Sequence, residues 1–245
     1  ELEGVRILKE NRGIRYECED LEREIPFHAL RVPRGGEYSI TLEDGTEVYF
    51  NSETKFRYPV KFGERERKVF LEGEAYFDVH HDPVHPFYVK TKSLDVKVLG
   101  TSFNVKAYRN ASIVETSLVE GVVSVKDNVL RPDMQATYHE ESGDFSYRKI
   151  KGENYRLRKV DVEPYVAWRE GRFVFRAMTL DLIMRQLQRW YDFEVFYRNP
   201  EMAEKRFGFK LEKYEHVDSL LKILELTGEV KFEMNGKTLI VKGVG

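Results

Sequence analysis

The chain has 245 residues, 41% of them hydrophobic, enough for one large or two ordinary domains with cores of their own. Forty lysines and arginines against forty-two aspartates and glutamates leave a net charge of -2 with the signs interspersed, which argues against a nucleic-acid partner. No apolar run approaches the roughly 18 to 20 residues of a membrane helix, nothing resembles a signal peptide, and Cys18, alone, cannot form an internal disulfide.

A start at Glu1 without methionine suggests a piece of a longer protein. In residues 1 to 30 a weak alternation, Val5 and Ile7 and then Ile14, Tyr16 and Cys18, is broken by Asn11-Arg12-Gly13 and predicts two edge strands joined by a turn; Cys18 is read as a packing residue. From Val32 the pattern sharpens. Tyr38, Ile40 and Leu42 share one face, and Asp44-Gly45 before Val48 and Phe50 predicts a hairpin with a type I′ turn. The segment GERERK, from Gly63 to Lys68, reads as a solvated charged loop, after which Val69 to Leu71 resumes strand.

The stretch from Leu71 to Tyr108 carries three runs of period two: Ala75 to Val79, Phe87 to Thr91 and Leu94 to Leu99. Asp82-Pro83, His85-Pro86 and Gly100-Thr101 separate them, proline by removing a donor and glycine by permitting angles other residues avoid. Further strands are predicted over Ser112 to Leu118, Gly121 to Val125 and Leu130 to Tyr138, with a proline-led turn at Pro132-Asp133. Short strands without helical period over roughly 140 residues predict an all-β domain, residues 1–146.

Residues 147–164 are basic, polar and poor in periodicity, and are read as a connector to an α+β domain of residues 165–245. There, strand, helix and strand occur twice. Leu180, Ile183, Met184, Leu187 and Trp190 recur at helical spacing, with Thr179 as a candidate N-cap and Asp181 in the first turn. Phe207 to Leu211 reads as strand and Val217 to Leu226 as helix, stopped by Gly228; Val230 to Phe232 and Leu239 to Val241 form a hairpin across Met234-Asn235-Gly236.

Catalytic patterns are absent from this sequence. His80, His81 and His85 lie beside Asp78 and Asp82, but adjacent histidines on a strand face opposite ways, so at most one could join His85 on a metal and the cluster is read as incidental. Glu72 and Glu74 share a strand face, which suggests solvent more than an acid/base pair. No G-x-S-x-G, P-loop or G-x-G-x-x-G motif is present, and no cofactor or metal is expected. Phe173, Phe175, Trp190, Phe193 and Phe196 are assigned to the core.

The strings VPRGGEY, LEDGTEVYFNSE and FRYP, followed by EGEAYFDV, the histidine-proline corner and VLGTSFNVKAY, resemble the periplasmic domain of FecR-family anti-sigma regulators. That family tends to carry Pro-Gly where this chain has Pro132-Asp133. The two strand-helix-strand units are similar in pattern to the short domain at the N-termini of secretins and TonB-dependent transporters, and the junction AWREGRFVFRAMTLDLIMRQLQRWYDFEVFY is typical of FecR regulators. The expected fold class is therefore mainly β plus α+β. It comprises a FecR-type β-domain, twisted solenoid-like or sandwich-like, followed by a small strand-helix-strand repeat domain.

The resemblance implies the periplasmic region of a single-pass inner-membrane regulator. Such a region would relay occupancy of an outer-membrane TonB-dependent transporter, by contact with that transporter's periplasmic signalling domain. The output would be an extracytoplasmic-function sigma factor, held by a cytoplasmic segment absent from this chain. A relay needs only a surface whose binding energy differs between two states. Candidate partner residues are Arg172, Phe173, Val174, Phe175 and Arg176, as an edge strand able to accept a partner strand, and, separately, Tyr165 and Trp168, at an expected cleft where the two domains meet; Trp168 is weighted towards interdomain core. The competing expectations are a secreted or periplasmic carbohydrate-binding module, because all-β domains rich in tyrosine and tryptophan often bind sugars, and a structural module of a secretin-like assembly.

Overall fold

The computed structural model describes residues 5–10, 13–18, 26–125, 128–139, 155–213 and 216–244. It divides into two compact units, Glu1–Val162 and Glu163–Gly245. In chain order the first contains β1 (Val5–Glu10), β2 (Gly13–Cys18), β3 (Phe27–Arg31), β4 (Tyr38–Thr41), β5 (Glu47–Phe50), β6 (Lys55–Pro59), β7 (Arg67–Asp78), β8 (Phe87–Lys90), β9 (Asp95–Val98), β10 (Ser102–Ala107), β11 (Ile113–Glu120), β12 (Val123–Val125), β13 (Asn128–Leu130), β14 (Met134–His139) and β15 (Tyr155–Lys159).

One sheet runs β1-β2-β4-β5-β7-β10-β11-β14-β15 and the other β3-β6-β7-β8-β9-β12-β13, so β7 belongs to both. Its first half pairs with β6 and β8, its second half with β5 and β10. The handover falls at Gly73, whose φ is 127° and where a Cβ would lie 2.6 Å from Thr54 Cα. Val69–Leu71 and Ala75–Asp78 are thus parts of one strand, because glycine supplies the bend that a side chain would forbid. Phe56 on one sheet meets Phe50 on the other at 4.7 Å between ring centroids, and Phe77 meets Phe87 at 6.2 Å and Phe103 at 5.2 Å. Two sheets facing each other across such a core make a sandwich rather than a solenoid.

Several turns differ from expectation for local reasons. β2 pairs with β1 and, in parallel, with β4, so it is interior and not an edge. At Asp44-Gly45 only the glycine has positive φ, 84°; the Gly45 N–H donates to the Leu42 carbonyl at 3.0 Å, giving a type I turn with a glycine bulge instead of type I′. Asp133 takes φ 61°, the conformation for which glycine is favoured, and the Met134 N–H closes the turn on the Arg131 carbonyl at 3.1 Å. Of residues 147–164, the described part includes β15, paired with β14.

The second unit begins with α1 (Glu163–Val166) and a 3-10 turn, Ala167–Glu170. β16 (Arg172–Thr179), α2 (Leu180–Gln188), β17 (Glu194–Tyr197), β18 (Arg206–Glu212), α3 (Val217–Glu225), β19 (Val230–Asn235) and β20 (Thr238–Gly243) follow. The repeats interlock: their first strands, β16 and β18, pair with each other, while β17 of the first runs parallel to β20 of the second, with β19 beyond. Leu180, Ile183, Met184 and Leu187 of α2 and Leu220, Leu221 and Leu224 of α3 are buried in the core with Phe173, Phe175, Phe193 and Phe207. Phe196, expected there, is 58% exposed, because β17 places it opposite the packed Val195 and Tyr197. Thr179 occupies the N-cap position in an extended conformation without a side-chain cap bond. The last hairpin turns at Gly236-Lys237, one residue later than expected, with φ 60° at Gly236. Among the described residues no helix is long and apolar enough to cross a membrane.

Candidate functional site

The residues expected to meet a partner gather at one corner of the second unit. Alternation on β16 turns Phe173 and Phe175 into the core, against Leu211 and Phe209 of β18. α1 and the 3-10 turn pack on β16, and Val174 between the two phenylalanines is buried as well. Trp168 is 3% exposed, Tyr165 and Arg172 are half-buried and Arg176 is exposed. Phe173, Val174, Phe175 and Trp168 therefore support the corner from within, while Tyr165, Arg172 and Arg176 reach its surface. β16 pairs with β18 along one edge, and among the described residues no strand pairs with the other.

Electrostatics organise this corner around Glu163. Its carboxylate accepts hydrogen bonds from Lys210 Nζ at 2.6 and 2.9 Å, Arg176 Nη2 at 2.7 Å and Arg172 Nη1 at 3.3 Å. Lys210 above all, then Arg176, holds the Glu163 carboxyl down at about 2, and Glu170 pairs with Arg172. Three cations converge on one carboxylate because register places Lys210 opposite Val174, between Arg172 and Arg176 on the same face.

Beneath it lies Lys213, 1% exposed, a position that sequence patterning did not single out. Its Nζ donates to the Trp168 carbonyl at 2.7 Å and stands 3.8 Å from the ring centroid of Trp190 and 5.7 Å from that of Trp168. Both tryptophans of the chain thus flank one ammonium, and its backbone N–H donates to the Gly171 carbonyl at 2.7 Å. Lys213 ties the end of β18 to the 3-10 turn.

In the first unit the GERERK segment is not uniformly solvated. Arg67 is 3% exposed; its guanidinium donates to Asp44 Oδ2 at 2.7 Å and to the carbonyls of His80 at 2.9 Å and His85 at 2.8 Å. It pins three turns because β7 starts at that residue and its side chain faces inward. Glu72 and Glu74 also part company: Glu72 pairs with Lys55 at 2.8 Å on the surface, whereas Glu74 is buried and accepts from Asn51 and Asn104, each at 3.0 Å. The bend at Gly73 between them explains the difference. His85 Nδ1 donates to Asp82 Oδ2 over 2.7 Å and keeps the Asp82 carboxyl well below the usual carboxylate range, while His81 packs against Gly100. Among the described residues no three potential ligands form a metal site.

Two family models match the chain, "FecR protein" over residues 28–124 and "FecR, C-terminal" over residues 172–241, together more than half of its length. The chain belongs to the FecR family. That family consists of anti-sigma regulators, and the first match falls within the sandwich and the second on the interlocked repeats. Two crystal structures of a proposed anti-sigma factor from Parabacteroides distasonis ATCC 8503 share the FecR chain's architecture. The 1.65 Å structure is 26% identical, covers 89% of this chain and all of its own, and superposes with a TM-score of 0.78. The 2.50 Å structure is 27% identical, covers 90% and 100%, and has the same TM-score. No curated protein matches.

Proposed function

We propose that this FecR chain is the signal-receiving periplasmic region of an inner-membrane anti-sigma regulator. Its input is the periplasmic signalling domain of a TonB-dependent outer-membrane transporter. Its output is an extracytoplasmic-function sigma factor held by a cytoplasmic segment outside this chain. The observation that carries the reading is the order of the two matched regions in one chain, a FecR sandwich followed by FecR C-terminal repeats. The role is binding, not catalysis: energy is transmitted through a difference in affinity between two states.

The receiving surface in this proposal is the corner formed by Tyr165, Arg172 and Arg176 with the edge of β16 that no described strand pairs, backed by Trp168, Phe173, Val174 and Phe175. An extended partner segment would add to β16 through main-chain hydrogen bonds, and the arginines would select its carboxylates. Calorimetry of the purified chain against the isolated signalling domain of the transporter encoded beside it tests the relay. One-to-one saturable binding, weakened by Arg176→Glu, is the expected result; no heat with both partners folded refutes direct reception by this chain.

A further inference from the structure

The second sheet of the sandwich carries a feature that the relay corner does not explain. A groove of about 760 Å³ is lined by residues of β3, β6, β7 and the β8–β9 turn together with Ala107 to Arg109 and Val114 of the first sheet. Register aligns Ala29, Arg57, Phe70 and Lys90 in one row across four strands, and Arg31, Lys55 and Glu72 in the next. The groove's apolar lining combines half-buried Phe70 on the outward row with Leu30 and Val114, which pack in or against the core, and six cations stand around it against one carboxylate, Glu72, which is already paired with Lys55. Lys90 is paired with Asp95.

Among the described residues no carboxylate pairs with Arg31, Arg57 or Arg109. Arg57 is nevertheless held in place, its guanidinium carbon 4.8 Å from the Phe27 ring and 5.0 Å from the Phe70 ring. Aromatic faces that fix a guanidinium leave its in-plane N–H groups for an acceptor, and the acceptor that fits a planar fork is a carboxylate. The same contacts cover the rings against which a sugar would stack, which disfavours a neutral glycan. Apolar surface between fixed cations suits a ligand that alternates bulky apolar groups with carboxylates, as an extended acidic peptide does.

We propose that this groove binds an acidic, amphipathic peptide segment of a partner protein, through Arg31, Arg57 and Arg109 and the apolar wall between them. The site lies in the first unit and stands independently of the relay proposed for the second.

The test titrates the full chain with three synthetic twelve-residue peptides of identical apolar content, bearing four glutamates, four glutamines or four lysines. Saturable binding of the glutamate peptide, at least about tenfold tighter than the glutamine peptide and weakening with added salt, is expected. Arg57→Glu and Arg109→Glu should each weaken it about tenfold, while Arg65→Glu, an equal charge change outside the groove, should leave it unchanged. Circular dichroism establishes that each variant is folded; should Arg57→Glu fail to fold, Arg109→Glu carries the test, since that exposed side chain supports no packing. Equal binding of all three peptides, or no loss on charge reversal, overturns the proposal. So does binding of phosphatidylglycerol vesicles through the same arginines with the glutamate peptide ignored, which would make the groove a lipid site.

Discussion

The ammonium of Lys213 lies 3.8 Å from the centre of the Trp190 ring while it donates to the Trp168 carbonyl at 2.7 Å. A buried lysine is costly to desolvate, and here the cost is offset by a π-face and a charge-assisted hydrogen bond. Lys213→Met keeps the apolar stem but removes the donor beneath Trp168. We expect a loss of about 2 kcal/mol from the second unit. Denaturation followed by tryptophan fluorescence reads that unit alone, because Trp168 and Trp190 are the chain's two tryptophans. An unchanged midpoint would show the cation to be dispensable.

Arg67 plays the corresponding part in the sandwich, joining Asp44 to the backbone at His80 and His85. Arg67→Ala leaves Asp44 with its partner gone in a largely buried setting, and the expected loss is about 3 to 5 kcal/mol. Arg67→Lys should recover only part of it, since an ammonium cannot span the same acceptors. Far-ultraviolet circular dichroism during urea unfolding follows both units, and the tryptophan-detected transition of the second, taken alongside it, leaves the first to be read by difference; unchanged transitions by both probes would refute the role.

Two backbone positions predict opposite signs. Gly73→Ala places a Cβ 2.6 Å from Thr54 Cα at a φ of 127°, so the strand that links both sheets must shift and the sandwich should lose several kcal/mol, about 2 to 4. Asp133→Gly relieves a side chain held at φ 61° and should be neutral to stabilising, by up to about 1 kcal/mol. Thermal melts of the two variants should bracket the parent chain; a destabilised Asp133→Gly would mean that the aspartate side chain contributes more than its conformation costs.

These predictions rest on residues of uneven legibility. Strands and helices were readable because their periods persist over several residues, as in Phe87–Lys90 or along α2. The hairpin at Asp44-Gly45 was readable in place, though its turn type depends on whether the aspartate adopts positive φ, which dipeptide identity does not decide. Arg67 was hidden by its neighbours: a cation in GERERK looks solvated until the turns carrying Asp44, His80 and His85 are brought around it. Lys213 had no local signal at all, because its aromatic partners come from elements 23 and 45 residues away in sequence, read as 213 less 190 and 213 less 168. The basic groove was likewise invisible in a chain of net charge -2, since strand register, not composition, brings Arg31 and Arg57 to it, and the segment after β10 adds Arg109.

The carboxyl of Glu163 carries a pH dependence whose sign is fixed by its surroundings. Its value falls from an ordinary 4.5 to about 2, because the ionised form is bound by Lys210, Arg176 and Arg172. A carboxyl depressed in the folded state contributes its stabilisation in full above the unfolded value and loses it as pH falls through the folded one. The attachment of α1 to β16 and β18 should therefore hold above about pH 4.5 and weaken progressively towards pH 2. Glu233, on the same unit and also lowered by its partner Lys242, titrates in the acid range too, so bulk acid unfolding does not isolate Glu163. Glu163→Gln does: it should flatten the slope of tryptophan-detected stability between pH 4.5 and 2 relative to the parent, and the Glu163 carboxyl carbon followed by NMR should titrate near 2. A midpoint above 4 would mean that the three cations do not engage the carboxylate in solution, and the corner proposed to receive the partner would lose the contact that orders its arginines.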